Sequence, residues 1–575
     1  MQHDEANNVP NASHLATPIQ ALQRPAVLLG AHLWSFAVPT SRRLVHDAAC
    51  ISPPPSPTTL PTFHTSTQSL CMSLQVVGGW SRLLRDYLRM QLLSTESGLM
   101  TTGLPIELGD QHCLLWARLC MLISDGDGHR IAMDWNGQGA MKPCFRHWNV
   151  ISKDDLAGRG RLQHAPDEYV DITEHDSSKF KQWSRADLEQ AADLLVVAED
   201  NWRLGGMPAA RLVEMRKALG FQPSRDSLLV CPQLRPHIDF LAVFRYDWVH
   251  TFCCGGVLST ALWQLVHAAE QANVATQADI STFLKEPWCI PQHRRSHRQR
   301  LPAVFNEHWA AANRKGNTIK CTSSELMELY GLMRYWALTR LPRHEELALP
   351  LQQYLKVSKC VDIIVRAKRQ QVSMMQASTD LRQCLQEWMA THKEAFGSHG
   401  LRPKSHWAFD VADQFATDPV VVDSFVVERL HLRVRAAAEH VKKLEGYERT
   451  VLSRVLNDQA RALQIVATRG LIGVRAPFPG LPSATVSDRM EVDGVHVAVG
   501  DFVRRGQDIA KAVACAEEGG VLLVVVDLQV VAHTCSPRSS TYTLTGDRSV
   551  WPASDISEVV AWKDMGQGQT LVLVE

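Results

Sequence analysis

Neither sign of charge is in excess in this 575-residue sequence, because 60 Lys+Arg stand against 60 Asp+Glu and the formal net charge is zero. Bulk charge therefore selects no partner. Dense cysteine is also missing. The 14 cysteines are scattered from Cys50 to Cys535 without the close spacing of a disulfide-stapled domain, and no signal-peptide pattern opens the chain. Both point to reduced thiols in an intracellular protein. No apolar run is a good membrane span. Thr251 to Ala269 reaches the minimum length but carries Gly255, Gly256, Gln264 and His267 and reads as a buried helix. Ile19 to Val38 is interrupted by Arg24 and His32. No membrane role follows, and there is no internal repeat at solenoid period. What is present, 45% hydrophobic and 21% charged residues, excludes collagen-like, coiled-coil and wholly disordered chains and allows two to four domains.

The character of the chain changes along its length. Residues 1–70 are polar and lead into Ser52-Pro53-Pro54-Pro55-Ser56-Pro57, text that favours extended backbone and a disordered tail. From Cys71 it becomes regular. The apolar run Cys113 to Ile123 ends in Ser124-Asp125-Gly126-Asp127-Gly128, and a second short run covers Arg130 to Trp135. That order reads as strand, tight turn, strand. From Ser184, a plausible N-cap, Leu188, Ala191, Ala192, Leu195 and Val196 fall at helical spacing and open a long helical block. Glu428 to Thr468 is also helical, with one apolar face. After Pro479-Gly480 the period becomes two, as in Val495, Val497 and Val499, and a β-branched run covers Gly520 to Val526. These mark a small β domain from about residue 476. Its seven basic against thirteen acidic residues give it a net charge of −6.

Several groups carry chemistry by type and spacing. Asp125 and Asp127 sit where a buried strand ends, and carboxylates fixed there suit a hard divalent cation, although Asp-Gly pairs are equally common in turns. Cys144 and His147 have the spacing of half a zinc site. The other half must come from elsewhere, with Cys289 and His293, or Cys253 and Cys254, as candidates, and a structural thiol beside a surface imidazole is the competing reading. Asp247 precedes an apolar helix as a cap would, placing His250 at its third position. Glu428 and His431 share one side of a helix. The stretch His293 to Arg300 gathers Arg294, Arg295, Arg298 and Arg300, enough for several phosphate contacts, and equally a solvated loop or nuclear import signal.

The order of these motifs resembles the transposase cores of the CACTA and Kyakuja–Dileera–Zisupton groups of cut-and-paste elements. The stretch "LLWARLCMLISDGDGHRIAMDWNGQGAMKPCFRHWNV" is similar to the family block in which an apolar strand ends in a metal-binding Asp and a Cys-x-x-Cys pair follows. "YDWVH" is similar to its Asp-x-x-His element, "RPKSHWAFD" to its Pro-Lys-x-His segment, and "VVERLHLRVRAAAEH" to the helix that delivers the last acid. His147 stands where the family has its second Cys, and Asp410 where a second His follows His406.

The resemblance implies an RNase H-like core in which three acids hold two Mg²⁺ ions for DNA strand transfer. It implies Asp125 (or Asp127) as the second acid, Glu428 as the third, and Asp247 and His250 as support behind the ligands. The first acid is expected upstream, where only Asp86 is found, so the triad reads as incomplete and catalysis as lost or impaired. The expected class is therefore α+β / α/β: a disordered tail (1–70), an RNase H-like mixed-sheet core (71–183 and 401–475), a helical insertion (184–400) and a β-barrel-like domain (476–575). The expected function is that of a nuclear, transposase-derived DNA-binding protein. The alternative is a non-catalytic binding or scaffold module acting through the β domain.

Overall fold

The computed structural model describes residues 79–573 apart from 96–97, 109–110, 153–167, 289–299, 343, most of 425–469, 474–475, 479–480, 493–494 and 537–538. The expected disordered tail lies outside the described residues. The chain divides into two compact units. One holds the residues up to Ile172 with Ser178–Asp247 and Val422–Val455, and the other holds Thr173–Ser177, Trp248–Val421 and the chain from Leu456 onward.

In the first unit, α1 (Trp80–Leu93) is followed by the antiparallel hairpin β1 (Leu104–Leu108) and β2 (Gln111–Leu115), then by β3 (Leu122–Ser124) and α2 (Gly126–Ala132). The sequence predicts a second strand after Asp127, and the structure has a helix there. The reason is local. Asp125 adopts extended backbone and its side chain accepts from the Gly128 amide at 2.7 Å, an N-cap bond that starts α2. Gly128 is needed for packing, since a Cβ there would lie 1.6 Å from Ser124 Oγ. The short strands β4 (Val150–Ile151) and β5 (Val170–Asp171) pair in parallel. Then follow α3 (Arg185–Arg203), α4 (Ala209–Leu219), α5 (Phe240–Val243) and β6 (Phe244–Tyr246). Ser184 caps α3 as expected, accepting from Asp187 N, and Leu188, Ala191, Ala192 and Leu195 are buried, with Val196 half-buried. The two strands that organise this unit, β3 and β6, are parallel and three residues each, with Leu122 opposite Phe244 and Ser124 opposite Tyr246.

The second unit opens with α6 (Trp248–Phe252) and α7 (Val257–Gln271), the predicted apolar helix, which breaks at Gly255 and Gly256. Its candidate span is 78% buried inside the protein, as befits a core helix. The helical block continues as α8 (Gln277–Leu284), α9 (Glu307–Gly316), α10 (Ser323–Arg340), α11 (Ala348–Lys368), α12 (Met374–Phe396) and α13 (Pro403–Thr417). Between α10 and α11 a buried ion pair, Arg334 to Asp362 at 2.8 Å, is completed by the Tyr330 hydroxyl.

The C-terminal part is all β, as its alternation predicts. Strands β7 (Gly470–Ile472), β8 (Ala476–Phe478), β9 (Leu481–Ser487), β10 (Arg489–Val492) and β11 (Val495–Ala498) lead into β12 (Phe502–Arg505), β13 (Asp508–Glu518), β14 (Val521–Ser536), β15 (Ser539–Pro552), β16 (Glu558–Gly566) and β17 (Gln569–Leu573). The order β12-β16-β17-β15-β14-β13 closes on itself through β12–β13 pairing, every pair antiparallel. Closure removes the free sheet edges that an open set of strands would leave. Val503, Ala510, Ala512, Val524, Val526 and Trp551 make its core. Phe502 and Ile509, neighbours in sequence of Val503 and Ala510, form a second cluster with Tyr542, Val560 and Val572. Glu558 accepts from Arg504 of the barrel and from Arg369 at the end of α11, so barrel and helices belong to one unit.

Candidate functional site

An acid follows each strand of the parallel pair β3–β6. Asp125 immediately follows β3 and Asp247 immediately follows β6, and the Asp247 amide continues the ladder by donating to Ser124 O. Adjacent strands lie about 4.8 Å apart, so the pairing alone makes these two acids neighbours, although 122 positions separate them in sequence. Their environments differ. Asp125 is half-buried and one of its oxygens caps α2. Asp247 is 1% exposed, and its carboxylate accepts from the Ser424 amide at 3.2 Å and the Ser424 hydroxyl at 2.5 Å. Two oxygens held by charge-assisted bonds fix that carboxylate firmly.

The floor beneath the acids is aromatic. His129 of α2 is fully buried against Phe145, Phe244 and Tyr246. Burial lowers its pKa to about 3, so the ring is neutral, and because Arg245 O only accepts, the Nε2 that meets it at 3.0 Å carries the proton. This bond ties α2 to β6 and thereby fixes Asp125 relative to Asp247.

Asp127 stands apart from this pair. It lies in the first turn of α2, half-exposed, in an ion pair with Arg130 at 3.3 Å. His250 is the third residue of α6, as expected, and its carbonyl accepts from Lys404. Glu428, Arg294, Arg295 and Arg298 lie outside the described residues, while Arg300 is exposed before a short 3₁₀ turn. The structure thus brings forward a residue that the sequence reading ranked as support, Asp247. No shared sequence pattern marks it, since Asp247 follows Phe244-Arg245-Tyr246 whereas Asp125 follows Leu122-Ile123-Ser124.

Two buried pairs, one in each unit, are made of different donors. Cys144 Sγ and His147 Nδ1 lie 3.5 Å apart in the loop after α2, and both residues are buried. His406 and Asp410, one helical turn apart on α13, are fully buried as well, and burial holds the His406 imidazole neutral, with a pKa of about 3. Among the described residues, the partners that the sequence suggested for Cys144 and His147 form no donor group with them. Cys253 is buried elsewhere, Cys254 meets the Ser323 hydroxyl, and Cys289 and His293 lie outside the described residues.

Comparison with family models, with curated proteins and with solved structures returned no match.

Proposed function

We propose that this chain is a transposase-derived, nuclear DNA-binding protein with an RNase H-like core whose metal-dependent strand-transfer chemistry is impaired. One observation carries the reading: two acids, Asp125 and Asp247, each end one of two adjacent parallel strands. Acids that follow adjacent parallel strands have neighbouring backbone positions, and Asp125 and Asp247 would hold a Mg²⁺ ion if their carboxylates turn to one side. On this reading Asp125 is the first acid, Asp247 the second and Glu428 the third, so the missing upstream residue is not Asp86. Mg²⁺ bound there would polarise the scissile phosphodiester and lower the pKa of an attacking water.

The impairment follows from the same carboxylates. Asp247 spends its oxygens on the Ser424 amide and hydroxyl, and Asp125 spends one on α2, so a metal must compete with bonds already made. Phosphate affinity does not depend on those acids. Arg294, Arg295, Arg298 and Arg300 would supply it through counterion release. The test is nicking of supercoiled plasmid by the full chain in Mg²⁺ or Mn²⁺. Slow nicking that Asp247→Asn removes is the expected result. Metal-dependent nicking indifferent to Asp125→Asn and Asp247→Asn alike overturns the assignment.

A further inference from the structure

We infer that helix α3 of the first unit is the docking surface for the same helix of a second copy of this chain, the two helices lying parallel about a two-fold axis. The inference stands apart from the DNA reading above, and neither depends on the other.

Spacing and exposure agree on the surface. α3 buries Leu188, Ala191, Ala192, Leu195 and Ala198 against its own unit. A second stripe runs beside that one. Asp187, Gln190, Leu194, Val197, Asn201 and Leu204 follow one another at alternating steps of three and four, the a and d positions of a heptad, and all six are exposed. The stripe opens polar and turns apolar over the second half of the helix. There Leu194 is 51% exposed, Val197 56% and Leu204, at the C-cap, 85%. A helix that needs only one apolar face to join its core here carries two, and the second faces water.

The occupant follows from Asn201 and from the flanks. Asn201 takes an a position between Val197 and Leu204. An amide there is buried by whatever covers the seam and must find a partner at its own level, because an unpaired buried amide is costly. It is donor and acceptor at once, so an identical helix laid parallel supplies the partner, Asn201 facing its own copy, and this pairing also fixes the register. Charge permits the approach. The two acids beside the seam are already neutralised within the chain, Asp193 by Arg235 at 2.8 Å and Asp200 by Arg225 at 2.7 Å, so two identical faces bring no unpaired carboxylates together. On the other flank stand Ala191 and Ala198, too small to hold a second helix away. Both helices are folded before they meet, so no ordering of backbone opposes the contact. The apolar part of the seam covers about three turns, which makes the dimer a dissociable one.

The experiment is sedimentation of the full chain over a range of concentrations. A reversible equilibrium between one chain and two is expected. Leu194→Glu with Val197→Glu sets like charges opposite each other across the axis and should weaken association at least about tenfold. Both positions are exposed, and an unchanged circular dichroism spectrum checks that the fold is kept. Asn201→Cys should cross-link to its own copy with a short bismaleimide, well above the wild-type background, whereas Arg203→Cys, off the seam, should not. Wild-type chain that stays monomeric at every concentration overturns the inference and leaves the stripe to a different partner, and this reading needs no variant. A dimer that the double substitution leaves unchanged also overturns it, as does a dimer that fails to cross-link through position 201.

Discussion

The barrel and the β3–β6 pair are both built of β-strands, yet they hold together for different reasons. In the barrel, long strands meet through hairpins. β14 pairs with β15 over most of its length, and β13 with β14, each with its sequence neighbour. Alternation along one strand therefore predicts both the face it buries and the strand it meets. β3 and β6 are three residues each and lie 122 positions apart, so neither alternation nor a turn residue announces their pairing. Their register comes from what is packed beneath them, above all from the bond of His129 to Arg245 O and the fit of Gly128 against Ser124. The difference teaches that redundant local pairing holds the barrel, whereas a few close contacts position the two acids.

Substitutions can break or sharpen that contrast. The largest effect is expected in the barrel core, where Trp551 is fully buried and the Arg505 guanidinium stacks over its ring at 4.3 Å. Trp551→Ala should cost about 3–5 kcal/mol in urea unfolding. A loss below 1 kcal/mol would contradict a core built around this side chain. Next comes Gly128→Ala, which drives a Cβ into Ser124 Oγ and should cost roughly 1–3 kcal/mol. The Ser124→Ala, Gly128→Ala double variant should recover part of that loss, and strict additivity would mean that the two do not meet.

Of similar size, but confined to a pH window, is an effect in the first unit. Asp134 sits at φ 51°, in the left-handed region, and burial, opposed by hydrogen bonds from Ser227 and Ser81, raises its pKa from 3.8 to about 6. An acid with a raised folded-state pKa contributes stability below the unfolded value, and this is lost as pH rises through the folded one. Asp134 should therefore weaken the fold by on the order of 2–3 kcal/mol between about pH 4 and pH 6. Asp134→Asn, a residue tolerant of positive φ, should flatten denaturation curves across that window. An unchanged slope would show that the carboxyl titrates normally.

What the sequence made legible follows the same divide. Ser184 announced the start of α3, the valines at 495, 497 and 499 announced period-two structure, and Thr251–Ala269 announced a buried helix, though not its break at Gly255 and Gly256. Each signal lies within a few residues of the feature it predicts. The Asp-Gly-Asp-Gly stretch misled because cap and hairpin turn share a vocabulary, and only the bond from Gly128 N to Asp125 distinguishes them. Asp247 was visible as an acid before a helix, but its partner across the ladder was not. Cys144 and His147, three apart in sequence, declared the close approach that the structure shows.

The central claim is that two strand ends form one cation-binding edge, and Mn²⁺-dependent nicking of supercoiled DNA tests it most directly. The account predicts slow nicking by the wild-type chain that falls by at least about 10²-fold in Asp247→Asn and equally in Asp125→Asn. Nicking that survives both substitutions, or that disappears in only one of them, would contradict a shared site.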